Sequence, residues 1–478
     1  MKKYTGLLLI LIQLALVVGL MFAVSSGRLP LGVKGEWEWM RIRQPLDILY
    51  PATALFMVLI YATYALVALK KLASKPKALG LVLGLVPMAI LTQIAIQEAA
   101  PEGYGLAKWA IALANKGSSG YHSVAKAEIQ ELGPFLKDYP IWIKKQDALH
   151  IGTHPPGLLV FSWTMSQFMK ANPDLAKTIV SFFPATIKSA FESFAAHEPL
   201  AMTDRAALAF TGFLILICSC LTVVPLFYLA RSKLDLQTSW IAAVLWPLVP
   251  ATMLFQPTAD TAFPLLSTSA LALAAWSGRR SWLAILVGVV LGIGTQLTLA
   301  FFPVGLIVAI LYAVEPQISW RDKAISVGLT GVGFLGITGL AWSLMGANPL
   351  AIWVVNAANH SRFYQQYPRS YLAWVIENPI ELAIAIGLPI FTLIICGFTK
   401  GPKVAWITLG LMAFLTVSGK NLSEIARLWI PLMPPLVAMA AVGFQRLAVR
   451  PPVLGVAILL LALQTLFLEY VIQVVYPI

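Results

Sequence analysis

The stretch Lys70-Lys71-Leu72-Ala73-Ser74-Lys75-Pro76-Lys77 separates two apolar runs, 50 to 69 and 79 to 97, and its reading decides the fold. Each run is close to the roughly 20 residues that a helix needs to cross a hydrocarbon core. The connection carries four lysines, and short basic connections between spans face the cytoplasm. Shorter basic loops recur at Arg231 to Lys233, Arg279-Arg280, Arg321 to Lys323, Lys400 to Lys403 and Arg446 to Arg450. The apolar runs between them fall at 5 to 24, 155 to 170, 207 to 230, 237 to 252, 259 to 277, 282 to 313, 324 to 344, 373 to 397, 403 to 417, 427 to 445 and 452 to 474. The run 282 to 313 is long enough for a helical pair broken near Pro303. The expected fold is therefore all-α, a single polytopic transmembrane bundle over 1 to 478 with about 12 to 14 spans by the length criterion.

Composition agrees. Hydrophobic residues make up 59% of the chain, charged residues 12%, and mean hydropathy is +0.80, whereas soluble domains are about 45–50% apolar. The net charge of +13 sits largely in short loops between spans, a positive-inside pattern that argues against nucleic acid as a partner. Met1-Lys2-Lys3 precedes an apolar run longer than a signal-peptide core, so the segment reads as an uncleaved first helix despite the cleavage-like Ala23-Val24-Ser25. Cys218, Cys220 and Cys396 all lie in apolar segments, where cysteine behaves as a small hydrophobe. No disulfide framework or thiolate metal site follows.

Alternation puts five segments on the face opposite the basic loops: 26 to 49, 99 to 154, 253 to 258, 345 to 372 and 418 to 426. Parity then requires an even number of crossings in 155 to 206, and 155 to 190 reads as a short pair or a re-entrant element. Such an element is tolerated where protein shields its backbone. The polar and aromatic residues suited to chemistry concentrate on this second face.

In the first of these segments, Gly35-Glu36-Trp37-Glu38-Trp39 alternates carboxylates with indoles. It reads either as an interfacial tryptophan belt with solvated acids or as a general base near the membrane surface. Geometry alone does not choose between Glu36 and Glu38. The 99 to 154 loop is too long for an incidental connection, which points to a binding or lid role. It opens near Glu98, Pro101 and Glu102, passes Gly120-Tyr121-His122-Ser123 and an amphipathic stretch from Glu128 to Lys145, and ends at His150-Ile151-Gly152-Thr153-His154-Pro155-Pro156-Gly157. Two prolines suit a helix start. His150 and His154 have zinc spacing on a helix, but Gly152 and the proline pair oppose a regular helix there. His154 remains open between a hydrogen bond to a phosphate or sugar oxygen and a helix cap. Asp260, at the edge of a span, is either a cap or a functional acid. The 345 to 372 segment carries Asn356, Asn359, His360, Arg362, Tyr364, Arg369 and Tyr371, and 418 to 430 places Lys420 and Arg427 on the non-cytoplasmic side beside Glu424. Cations there call for an anionic partner, and arginine forks fit phosphate well.

Together, the acidic first outer loop (Gly35 to Trp37), the Thr153-His154-Pro155-Pro156-Gly157 helix start and the late Arg427-Leu428-Trp429-Ile430-Pro431 helix resemble the GT-C superfamily of polytopic glycosyltransferases. That class includes protein mannosyltransferases and aminoarabinose transferases. The resemblance covers most of the chain as architecture. It implies a polyprenyl-phosphate sugar as donor, an unidentified acceptor, membrane lipids as surroundings, and a first-loop acid as base: Glu36, with Glu38 second. Many members use Asp at that position, which is a departure here. A divalent cation is left open, and no other cofactor is expected. The implied substrate contacts are Tyr121, His122, His150, His154, Asp260, His360, Arg362, Tyr364, Lys420, Glu424 and Arg427. The implied location is the bacterial cytoplasmic membrane, with the site on its outer face. The chain shows neither a Walker loop nor a Gly-rich nucleotide fingerprint. The competing expectations are a lipid-linked sugar flippase or secondary transporter, and a structural subunit without chemistry. Transporters favour midplane sites and repeated halves, and neither is legible in this sequence.

Overall fold

A computed structural model describes residues 2–42, 49–72, 75–101, 103–195, 200–316, 318–448 and 450–474. Glu102 lies outside this set. Among the described residues the chain is almost wholly helical, and its strands are two-residue pairs: Gly32–Val33 with Trp37–Glu38, and Met40–Arg41 with Ile472–Gln473.

Among the described residues, six helices are long and apolar enough to cross a membrane: Tyr4–Ser25, Leu49–Lys71, Ala78–Glu98, Met202–Arg231, Trp320–Met345 and Pro451–Val471. Tyr371–Ile386 and Leu388–Lys400 make a seventh if counted as one span, bent by 106°. The bend sits at Gly387, whose φ of +95° suits glycine, and Pro389 follows directly.

The 12 to 14 crossings read from apolar runs are thus not matched by as many uninterrupted helices. Proline is one reason. The 237 to 252 run divides into Leu236–Leu245, a tight 3-10 turn Trp246–Leu248 and Pro250–Leu254, with Pro247 and Pro250 at the joints. Every residue from 238 to 258 is nevertheless buried, which is where irregular backbone survives within a membrane protein. The 282 to 313 run is indeed two helices, Leu283–Leu297 and Phe301–Val314. The break falls before Pro303, because proline is accommodated in a first turn whose N–H groups need no helical partner. The 155 to 190 region begins a set of three short helices, Gly157–Ala171, Pro173–Ser181 and Ala185–Ala195, each below crossing length.

The basic connections after the first lie together. Lys233 pairs with Glu315 at 3.0 Å, Lys323 and Lys403 donate to the carbonyls of Ala313 and Val314, and Gln445 donates to Asp235. Arg446 reaches Cys396 and Thr399, and Trp276, beneath Arg279, donates to Tyr228. The five polar segments converge elsewhere, around one cavity.

Candidate active site

That cavity holds about 700 Å³ and is lined by residues of all five polar segments. Its size is that of a small-molecule site. The first segment enters as a hairpin. Gly35, at φ +81°, turns the chain so that Glu36 and Trp37 face the cavity, and strand alternation leaves Glu38 exposed and outside it.

The hairpin is latched to the Tyr371–Ile386 helix. The Glu36 carboxylate accepts from the Ser370 backbone N–H at 3.0 Å, from the Ser370 hydroxyl, and from Trp374 Nε1 at 2.7 Å. Gly32 N–H donates to Glu377 at 3.0 Å, and Trp37 packs on Trp374. Desolvation raises the Glu36 pKa, but the Ser370 and Trp374 donors and the Arg369 charge outweigh it, so the carboxyl lies below its ordinary value. A carboxylate with its lone pairs engaged and its basicity lowered is poorly suited to take a proton. In this structure Glu36 thus serves as the latch of the first loop, and Glu38 lies outside the cavity.

The His150 to Gly157 run forms a second wall. A 3-10 turn, Ile151–Thr153, leads through Pro155-Pro156 into the Gly157–Ala171 helix, as the proline pair predicts. Its glycines permit close approach. A Cβ on Gly152 would lie 1.9 Å from the Asp147 carbonyl, and one on Gly157 would lie 2.3 Å from that of Gln296. Asn356 clamps the carbonyls of Gly152 and His154, both at 2.9 Å, and Asn359 holds those of Ile143 and Gly152. Both asparagines therefore build the wall.

His154 Nδ1 lies 2.7 Å from the His150 carbonyl. A carbonyl only accepts, so Nδ1 carries the hydrogen, and the neutral ring keeps its lone pair at Nε2. This ring-to-backbone bond is what joins the two histidines at the spacing that suggested zinc. Burial lowers the pKa of both, with the Arg427 charge adding to it. His150 falls to about 3, and for His154 the Asp260 charge opposes the shift. Tyr121 sets its ring against His154, 5.9 Å between centroids, and burial raises its hydroxyl well above the ordinary range.

The third wall comes from 345 to 372 and 418 to 432. Tyr364 donates to the carbonyls of Lys420 and Leu422, Arg369 donates to Ser423, and His360 packs edge-on against Tyr364. Ser423 and Glu424 both adopt positive φ, +72° and +54°. Two consecutive non-glycine residues there store strain, a feature that clusters at functional sites. Immediately beyond, Arg427 pairs with Glu424 at 2.8 Å, while its Nε and the Trp429 Nε1 are buried donors without partners among the described residues.

Glu36, Tyr121, His150, His154, Asp260, His360, Tyr364, Lys420, Glu424 and Arg427 all line the cavity. His122 and Arg362, expected beside them, do not line it. His122 turns away from its neighbour Tyr121 into a buried cluster with Ser166 at 3.5 Å and Asp204 at 3.7 Å, where Lys126 also pairs with Asp204. Arg362 donates to Asn359 and so braces the clamp. Sequence reasoning missed the latch partners Ser370, Trp374 and Glu377, although Glu377 and Glu381 in an apolar run were a visible signal. No protein-family model, curated protein or solved structure matches this chain.

Proposed function

We propose that this chain is an integral-membrane glycosyltransferase that moves a sugar from a polyprenyl-phosphate donor to an acceptor on the outer face of a bacterial cytoplasmic membrane. The observation that carries this reading is the double character of the cavity. Arg369, Lys420, Arg427 and His154 line it together with Leu158, Phe263, Leu299, Pro303 and Leu432. An amphipathic ligand with a phosphate head satisfies both sets: the Arg427 guanidinium takes the anion, and the apolar wall takes the chain. Aromatic rings of Tyr121, Tyr364 and Tyr367 supply faces for a sugar. On this reading the broken helices complete the 12 to 14 crossings.

A lipid-linked sugar transporter is the second reading, favoured by the 106° break at Gly387, since transporters build sites on discontinuous helices. Reconstitution into sealed vesicles with radiolabelled polyprenyl-phosphate sugars separates the two. Transfer of label to an acceptor, lost in Arg427→Met, is the expected result. Label crossing the bilayer while still attached to its lipid would replace the transferase with the transporter.

A further inference from the structure

We infer that Asp260 is the general base of this cavity, an assignment that rests on the transferase reading. Three carboxylates line the space: Glu36, Asp260 and Glu424. Glu36 is held by Ser370 and Trp374, and Glu424 is paired with Arg427. Asp260 alone of the three has no hydrogen bond or ion pair among the described residues.

Its backbone is fixed. Asp260 sits in the 3-10 turn Ala259–Thr261, where buried Thr261 donates to the Thr258 carbonyl and to Gln256, each at 2.9 Å. Gln256 in turn donates to the Gly212 carbonyl of a neighbouring helix at 3.1 Å. A rigid turn thus presents a carboxylate that protein donors leave unoccupied. Tyr121, His154 and Arg427 are all within electrostatic reach of it. The proton acceptor and the cation that receives the leaving phosphate therefore line one cavity.

The step balances as a single displacement. An oxygen lone pair of the acceptor hydroxyl forms the new bond to the anomeric carbon, and its proton passes to the Asp260 carboxylate. The bond from the anomeric carbon to the donor phosphate oxygen breaks, and its electron pair stays on the phosphate, beside Arg427. The anomeric centre inverts, and protonated Asp260 returns its proton to solvent.

The test uses the full chain in vesicles with polyprenyl-phosphate [14C]hexoses and an extract of the host envelope as acceptor. Removing a general base costs about 10²–10⁴-fold in turnover. Asp260→Asn is expected to lose turnover on that scale and the acid limb of the pH profile, while still retaining labelled donor in equilibrium binding. Asp260→Glu should recover part of the turnover. Glu36→Gln should keep the acid limb. Wild-type turnover in Asp260→Asn, or loss of the acid limb in Glu36→Gln with its retention in Asp260→Asn, overturns the assignment and leaves the transferase standing. Absence of transfer by the wild type with every donor overturns the transferase, and Asp260 as its base with it.

Discussion

Glu36 ties the first loop to the start of the Tyr371–Ile386 helix, and its charge makes that tie depend on pH. Because its folded-state pKa is depressed, the carboxylate contributes stability above the ordinary glutamate range, lost as pH falls through the folded value. Glu36→Gln should lower stability by about 1 kcal/mol at neutral pH, since charged hydrogen bonds weaken to neutral ones, and should flatten the acid branch of thermal unfolding in detergent. His150 acts in a higher window. Its pKa, lowered to about 3, keeps it neutral when folded, while the unfolded chain binds a proton below about 6.5, so stability declines from there downward. Ring nitrogen shifts of 15N-labelled histidine should show His150 neutral at pH 5; an imidazolium at that pH would contradict its desolvation beside the Arg427 charge. The residue types of the site were legible because cations and histidines away from the basic loops need partners. Their division of labour was not: Asn356 and Arg362 look like ligand contacts in sequence, and only the packed helix reveals them as clamp and brace.

At the scale of elements, the segment carrying Asp260 is held from behind by a buried ion pair. Lys108 meets Glu469 at 3.1 Å, both side chains almost wholly buried, and also donates to the carbonyls of Met253 and Leu254 at the end of Pro250–Leu254. Lys108→Met leaves Glu469 as an uncompensated charge and frees those carbonyls, so it should destabilise by about 3–5 kcal/mol. The double variant Lys108→Met/Glu469→Leu should recover much of that loss in thermal unfolding. A double variant no more stable than the single would show that the carbonyl contacts, rather than the charge pair, hold the turn. This pair also marks the limit of sequence reading at this scale. Apolar runs located the helices well, since hydropathy reports burial in lipid or protein. Hydropathy does not distinguish a lipid-facing span from the buried, proline-jointed stretch 238 to 258, which is just as apolar and is not one long helix.

For the whole molecule, the two ends of the bundle carry different chemistry, and that difference yields its sharpest topological prediction. Basic connections near 233, 315, 323, 400 and 446 touch one another, while the five polar segments meet around the cavity. On the proposed function, the basic end faces the cytoplasm, as positive-inside bias predicts. In a background lacking Cys218, Cys220 and Cys396, single cysteines at Lys145, His360 and Lys420 should react with a membrane-impermeant maleimide added outside intact cells. Cysteines at Arg280, Arg321 and Lys400 should react only after permeabilisation. All six native side chains belong to connections or outer helices, and those at 145, 360, 420, 280, 321 and 400 are exposed, so labelling reports sidedness rather than access through the fold. The reverse pattern would turn the cavity toward the cytoplasm and remove the outer-face donor from the proposal. Opposite labelling of His360 and Lys420 would break the shared face itself, because two residues lining one 700 Å³ space cannot lie on opposite sides of a bilayer core about 30 Å thick.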